Sequence, residues 1–304
     1  MEDVALEAAR DCVLAAADEN LRPQIHALFD EATASVTYVV ADPRSRACAI
    51  IDSVADFDAA AGRVSHRGVA DLEALIEREG LSVAWILETH VHADHLSAAA
   101  YLAERYGAPI GIGAGIGEVQ ALFGPIFGAP PPTSAPFDRL FEDGERLSIG
   151  QLECRILACP GHTPADVAYV VGDAVFIGDS LFMPDFGTAR ADFPGGDARR
   201  LYRSIRRLLS LPPKTRLFCG HDYKAPGRDQ YAWETTVAAQ NADNVHVGGE
   251  RDEAAFVAMR NARDAALPVP KLLWPALQVN LNAGRLPAPG VDGRRRLILP
   301  LDAI

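Results

Sequence analysis

Three imidazoles and a carboxylate fall within six consecutive residues, as His90, His92, Asp94 and His95. Imidazole and carboxylate are ligands for borderline metals such as zinc and iron. The chain has 8 histidines, and three of them lie in this one run, a clustering that a solvated polar loop seldom shows. Further metal-capable residues follow, each just past the C-terminal end of a short apolar run. His162 follows residues 155–158, Asp179 follows 174–178 and His221 follows 215–219. Gly161, Gly178 and Gly220 directly precede them, and glycine permits the tight turns and close backbone approach that a crowded metal site needs. A single His or Asp after a strand is ordinarily a cap or turn residue. Four such junctions point to convergence on one site.

The elements that must position these residues are mostly α/β. Residues 82–88 read as a buried strand and 96–106 as a helix, so the ligand run lies on a strand-to-helix turn, where a rigid scaffold carries functional loops. A helix is expected over 2–20 and strands over 35–40 and 47–52. Leu72, Leu75 and Ile76 recur at helical spacing over 69–79, with Gly80 as the stop. Residues 169–177 read as a hairpin turning at Gly172 and Asp173. Helices are expected over 197–209, 229–242 and 252–266, and residues 267–304, rich in Pro and Gly, as a tail packed on the body. The glycine-rich run 111–117 does not match the GxGxxG phosphate pattern and reads as a turn beside the site. The proline-rich run 130–136 reads as a stiff surface loop.

At 304 residues the chain can form one large domain or two small ones. A net charge of −12 argues against a phosphate-binding surface, so nucleic acid is not expected as a partner. No apolar run approaches the ~20 residues that span a bilayer. The N-terminus has neither the basic start nor the apolar core of a signal peptide, and a cytoplasmic location is expected. The five cysteines show no disulfide framework and no CxxC, so Cys159 and Cys219, beside the proposed site, read as buried structural thiols.

The set His90-x-His92-x-Asp94-His95, then His162, Asp179 and His221, resembles the metallo-β-lactamase superfamily. The resemblance implies an αββα sandwich, two mixed β-sheets face to face with helices outside and a metal site at one edge. Three segments narrow it: Pro160 to Pro164, Arg190 to Phe193, and Gly220 to Tyr223. They are similar to the persulfide dioxygenase (sulfur dioxygenase) branch. The runs 192–198 and 221–228 resemble its bacterial subgroup of β-lactamase hydrolase-like proteins, and that likeness extends to about residue 300. The expected organisation is an N-terminal helical extension over 1–22 and a metallo-β-lactamase domain over 23–304, with a C-terminal helical and extended region from about 228. The chain departs from the family pattern at Ala165, where glycine usually follows His-Thr-Pro, and at Ala191, where threonine is common.

Two forms of chemistry are implied, and the ligands allow both. In the superfamily's hydrolases His90, His92 and His162 would hold one metal, Asp94, His95 and His221 a second, with Asp179 bridging, to activate a water. In the persulfide dioxygenases one Fe(II) is held by two His and one Asp, here His90, His162 and Asp179, leaving up to three positions for substrate and O₂. His92, Asp94, His95 and His221 would then orient those ligands by hydrogen bonding. The leading expectation is oxidation of glutathione persulfide by O₂ to sulfite and glutathione, in sulfide detoxification. Its competitor is a two-metal hydroxyacylglutathione thioesterase of the glyoxalase II type. A metal-free binding module would lack ligands, and none is missing. Glutathione carries two carboxylates, so Arg190, Tyr223, Lys224 and Arg228 are the candidate substrate-binding residues. A homodimer is the expected assembly.

Overall fold

The computed structural model describes residues 3–128, 136–249 and 251–303. The chain opens with helix α1 (Val4–Ala15), whose first turn is capped by the Asp3 carboxylate accepting from Leu6 N at 3.0 Å. Nine strands follow: β1 (Gln24–Asp30), β2 (Ser35–Ala41), β3 (Ala47–Ile51), β4 (Val54–Asp58), β5 (Arg63–Ser65), β6 (Ser82–Leu87), β7 (Leu96–Ser97), β8 (Ile110–Gly113) and β9 (Arg139–Phe141). Helices α2 (Ala70–Glu79), α3 (Ala99–Tyr106) and α4 (Ile116–Phe123) interrupt them. The second half supplies β10 (Arg146–Ile149), β11 (Leu152–Ala158), β12 (Val167–Val171), β13 (Ala174–Phe176), β14 (Arg216–Phe218) and β15 (Glu234–Thr236). It also supplies helices α5 (Ala198–Leu208), α6 (Val237–Asp243), α7 (Glu253–Asp264) and α8 (Leu273–Asn280).

The strands form two six-stranded mixed sheets, ordered β1-β2-β3-β6-β8-β9 and β10-β11-β12-β13-β14-β15, and a small sheet β5-β4-β7. In the first, β3, β6, β8 and β9 run parallel; in the second, β13 and β14 do. Strands β2 and β12 are buried at every residue, as expected of apolar strands covered on both faces. Val36, Tyr38 and Ile51 from the first sheet meet Ile156, Tyr169 and Phe176 from the second in the central core. Outside it, Leu72, Leu102, Val119 and Leu277 of α2, α3, α4 and α8 cover the first sheet. Ala9, Val13, Leu201, Ile205 and Phe256 of α1, α5 and α7 cover the second. The order helix, sheet, sheet, helix is the architecture the resemblance implies.

Several expectations are corrected. The helix read over 96–106 begins at Ala99, because Leu96 and Ser97 pair with Ala55 and Val54 as an edge strand. The glycine-rich run 111–117 is a turn only at Ala114 and Gly115; the rest is the end of β8 and the start of α4. Its glycines clear neighbouring chain: a Cβ on Gly113 would lie 2.3 Å from the Ala165 carbonyl oxygen. The helix read over 229–242 is only α6, since Glu234–Thr236 pairs with β14 and Thr236 then caps the helix by accepting from Ala239 N at 3.1 Å. The tail 267–304 contains α8, with Leu273, Ala276, Leu277 and Val279 buried. The expected helix over 2–20 is shorter, and it packs against β11 and β12 as part of the outer layer. The proline-rich loop lies, except for Pro136, outside the described residues.

Candidate metal centre

Parallel strands β3 and β6 end at the same edge of the first sheet, which places Asp52 beside Thr89. Thr89 donates to Asp52 through its backbone N at 2.7 Å and its hydroxyl at 2.8 Å. This joint fixes the start of the ligand run. From the second sheet, β13 delivers Asp179 and β14 delivers His221 at the same edge, again through a parallel pair. Gly178 makes the approach possible. Its φ is +49°, and a Cβ there would stand 2.4 Å from the Thr89 hydroxyl oxygen.

The seven expected residues come together in two groups. His90, His162 and Asp179 form one, with ligand atoms mutually within 4.8 Å. His90 Nε2 and His162 Nε2 lie 3.8 and 3.9 Å from the same oxygen, Asp179 Oδ2. His92, Asp94, His95 and His221 form the second group, to the same tolerance. His221 Nε2 is 3.2 Å from Asp94 Oδ2 and 3.6 Å from Asp179 Oδ1, so Asp179 stands between the groups with one oxygen toward each. Backbone carbonyls orient the rings. His162 Nδ1 is 2.8 Å from Arg190 O, His221 Nδ1 is 3.1 Å from Ala34 O and His95 Nδ1 is 3.2 Å from Leu96 O. An Nδ1–H donated to a carbonyl leaves the Nε2 lone pair facing the centre.

His92 is turned the other way. Its Nε2 faces Asp52 Oδ1 at 3.2 Å and Glu88 Oε2 at 3.1 Å. Its Nδ1, with Asp94 Oδ2, His95 Nε2 and Asp179 Oδ1, is buried and makes no hydrogen bond. Buried polar atoms are nearly always paired; three of these belong to the second group and Asp179 Oδ1 lies 3.6 Å from its His221 Nε2, an arrangement that fits a cation there. Asp52 and Glu88 were not among the expected site residues. Their signal was present, an acid at a strand end and an acid two residues before the first ligand, but they act through His92 rather than on the centre.

Burial and then the neighbouring imidazoles His92 and His162 hold His90 well below its ordinary pKa. Burial, reinforced by His92, pushes His95 down to about 4. Both are thus neutral at pH 7, the form that binds metal. Burial opposes a charge on His92, yet Asp52 and Glu88 raise it well above the usual range. Burial likewise opposes a charge on His221, and Asp179 and Asp94 outweigh it. Burial raises the Asp179 carboxyl, against the pull of His221 and His162.

The four expected substrate residues are placed differently from one another. The Arg190 guanidinium forms a two-pronged pair with Asp192 at 2.6 and 2.8 Å and donates to Pro268 O, while the Arg190 carbonyl orients His162. Arg228 bridges Asp222 and Asp185 and donates to Gln230 O. The Lys224 ammonium sits 4.1 Å above the Tyr231 ring. Tyr223 stacks on His221, ring centroids 5.3 Å apart and planes at 7°, and is 45% exposed. Of the four, it is the one whose side chain touches a ring of the cluster and also reaches solvent. Beside His95 opens a cavity of about 400 Å³, lined among others by Thr33, Arg63, Arg67 and Leu272.

The metallo-β-lactamase superfamily model matches residues 31–221, which includes every residue of the cluster. The chain belongs to the metallo-β-lactamase superfamily. Its His and Asp cluster is the metal-binding site of that superfamily. The chain is 50% identical over 284 residues to a beta-lactamase hydrolase-like protein of Xylella fastidiosa, covering 93% of this chain and 65% of the relative. It therefore spans a little under two thirds of that relative's length. It is 42% identical to Glyoxylase B2 of Dictyostelium discoideum, covering 87% of this chain and 92% of that one. Among solved structures it is similar to ETHE1 from Myxococcus xanthus, with a TM-score of 0.69, 29% identity, and 86% and 100% of the two chains covered. These superfamily relatives are consistent with the persulfide dioxygenase branch that the motifs resemble.

Proposed function

We propose that this protein oxidises glutathione persulfide with O₂ to sulfite and glutathione at a single Fe(II) held by His90, His162 and Asp179. The observation that carries the reading is the compact triad of two imidazoles around one oxygen of Asp179. Two His and one carboxylate on one face are the ligand set of non-haem iron oxygenases, with other positions left open. The likeness to ETHE1 supports the same reading.

The iron, when bound, supplies a redox-active Lewis acid at which sulfur and O₂ can meet. The chain's residues set the conditions around it. The Arg190 carbonyl fixes the His162 tautomer, and Thr89 lies 2.9 Å from His90 Nδ1. The near-complete burial of His90, His92, His95 and His221 keeps solvent off these four rings, while the Asp94 side chain is 30% exposed. His221, with Nδ1 turned to the Ala34 carbonyl, presents Nε2 between the Asp94 and Asp179 carboxylates. Tyr223, stacked outside it, borders the approach from solvent. The cavity beside His95 is lined by Arg63 and Arg67 but also by Asp30, Asp56 and Asp58, so its cations are offset by acids. The overall reaction balances as GSSH + O₂ + H₂O → GSH + H₂SO₃. Four electrons leave the sulfur pair and reduce O₂, the S–S bond breaks, and both O₂ atoms go to the outer sulfur.

A second reading has its own observation. The group His92, Asp94, His95 and His221, with Asp179 Oδ1 3.6 Å from His221 Nε2, could hold a second metal and hydrolyse a glutathione thioester. Anaerobic purification, metal analysis and O₂ uptake with glutathione persulfide separate the two. About one iron per chain, O₂ consumption and sulfite release are expected, with iron lost in His162→Ala and kept in His95→Ala. Two metals per chain, no O₂ uptake and thioester cleavage would overturn the dioxygenase reading.

A further inference from the structure

The ligand run lacks ordinary backbone support. Residues 90–95 make no backbone–backbone hydrogen bond among the described residues. A side chain from the far end of the sequence supplies what is missing. Asn280, the last residue of α8, is 4% exposed. Its Nδ2 donates to His92 O and His95 O, each at 2.8 Å, and its Oδ1 accepts from Ser97 N at 2.8 Å. Two carbonyls on one side and an N–H on the other fix which end of the carboxamide is which. The Ser97 hydroxyl continues the chain, donating to Glu88 Oε1 at 2.5 Å, and Glu88 Oε2 faces His92 Nε2. His92 is thus held by its ring and by its carbonyl, and Ala93 and Asp94 are strung between two braced carbonyls.

We propose that Asn280 is a positioning residue for the metal centre, replacing a backbone ladder across 92–97 and setting where His92, Asp94 and His95 stand. The C-terminal segment thereby completes a site whose metal-capable side chains all lie within 31–221. Helix α8 is anchored for this role: Leu273, Ala276, Leu277 and Val279 pack in the outer core of the first sheet. After it, Gly284 passes so close to Ser97 that a Cβ would lie 2.8 Å from the Ser97 carbonyl oxygen. The inference rests on the metal-binding character of the cluster and not on the reaction, so a failure to consume O₂ would leave it standing.

The test uses the full chain stripped of metal, then titrated with Co(II), whose visible bands report ligand geometry. Asn280→Asp keeps the shape and the acceptor for Ser97 N but turns an oxygen toward two carbonyls. Asn280→Ala removes all three bonds. Asn282→Ala is the control, since the Asn282 side chain, two residues past α8, bonds only to Gln278 O among the described residues. Both Asn280 variants are expected to bind Co(II) at least ~10-fold more weakly, with shifted bands, as residues that orient metal ligands typically do. The control is expected to stay within about twofold of the parent. Asn280→Ser, with one small donor, should fall in between and replaces the alanine variant if that precipitates. Unchanged affinity and bands in folded Asn280 variants would overturn the proposal. So would insolubility of all three beside a soluble Asn282→Ala, which would assign Asn280 to the fold alone.

Discussion

His246 is a buried imidazole away from the cluster, and it is held neutral. Burial first, then Arg260 and Arg263, push it down to about 4. Thr188 N donates to its Nδ1 at 3.0 Å, a bond that only the unprotonated nitrogen can accept. A pKa depressed in the folded state adds stability above the unfolded value near 6.5 and loses it as pH falls through the folded value. Unfolding free energy should therefore drop between about pH 6.5 and 4, by roughly 2 kcal/mol from this residue. Urea unfolding of His246→Asn across that window is expected to show a shallower drop than the parent; identical slopes would refute it. At this scale the seven clustered residues were legible because a metal constrains both residue type and spacing. Asp52, Glu88 and Asn280 were not, because their roles exist only through contacts 4 to 188 positions away along the chain, which the fold alone makes. Arg190 and Arg228 were legible as cations, but which carboxylates would meet them depended on the fold.

Among elements, the junction of β8 and α4 shows how backbone proximity, rather than side-chain chemistry, protects the site. Gly113 faces Ala165, and Gly115 would place a Cβ 2.2 Å from Pro164 O. Both contacts fall on the loop that carries His162. Gly113→Ala would force the strand and that loop apart, at a cost of about 2 kcal/mol. A lower denaturation midpoint together with reduced metal occupancy is the expected result; a lower midpoint at full occupancy would mean the loop adjusts without moving His162. The same junction explains a misreading from sequence. Alternating Gly and Ile over a short run carries no period that separates a strand from a turn. The edge strand β15 was missed for a related reason: its three residues, Glu234, Thr235 and Thr236, are polar and continue directly into α6. Long periodic helices such as α2 and α7 needed no such context.

Across the whole molecule, the cluster lies where the two sheets meet. Residues 90–95 follow strands of the first sheet, and His162, Asp179 and His221 follow strands of the second. A bound ion is therefore a cross-link between the halves as well as a reagent. Anything that binds the folded state alone stabilises it by about 2.7 kcal/mol at a hundredfold excess over its Kd. Thermal unfolding of the metal-loaded chain should come several degrees above that of the chelator-treated chain. Equal midpoints would show that the halves are fully locked without the ion. Helix α1 ties the second half further, since Arg207 joins Asp3 at 2.6 Å to Asp143 at 2.8 Å. That the sequence implied two packed sheets but not this clasp is a matter of distance: 204 positions separate Asp3 from Arg207.

The cysteines give the proposed chemistry one last turn. All five are free, and Cys48, Cys154, Cys159 and Cys219 are buried. Burial pushes the Cys48 thiol up to about 12 and the other three further still. A thiol reacts as its thiolate, and these four carry almost none at neutral pH. Cys159 and Cys219 border the ligand loops yet are insulated from them chemically. If the proposed persulfide chemistry holds, these four buried thiols would offer little thiolate to compete for the substrate's sulfur.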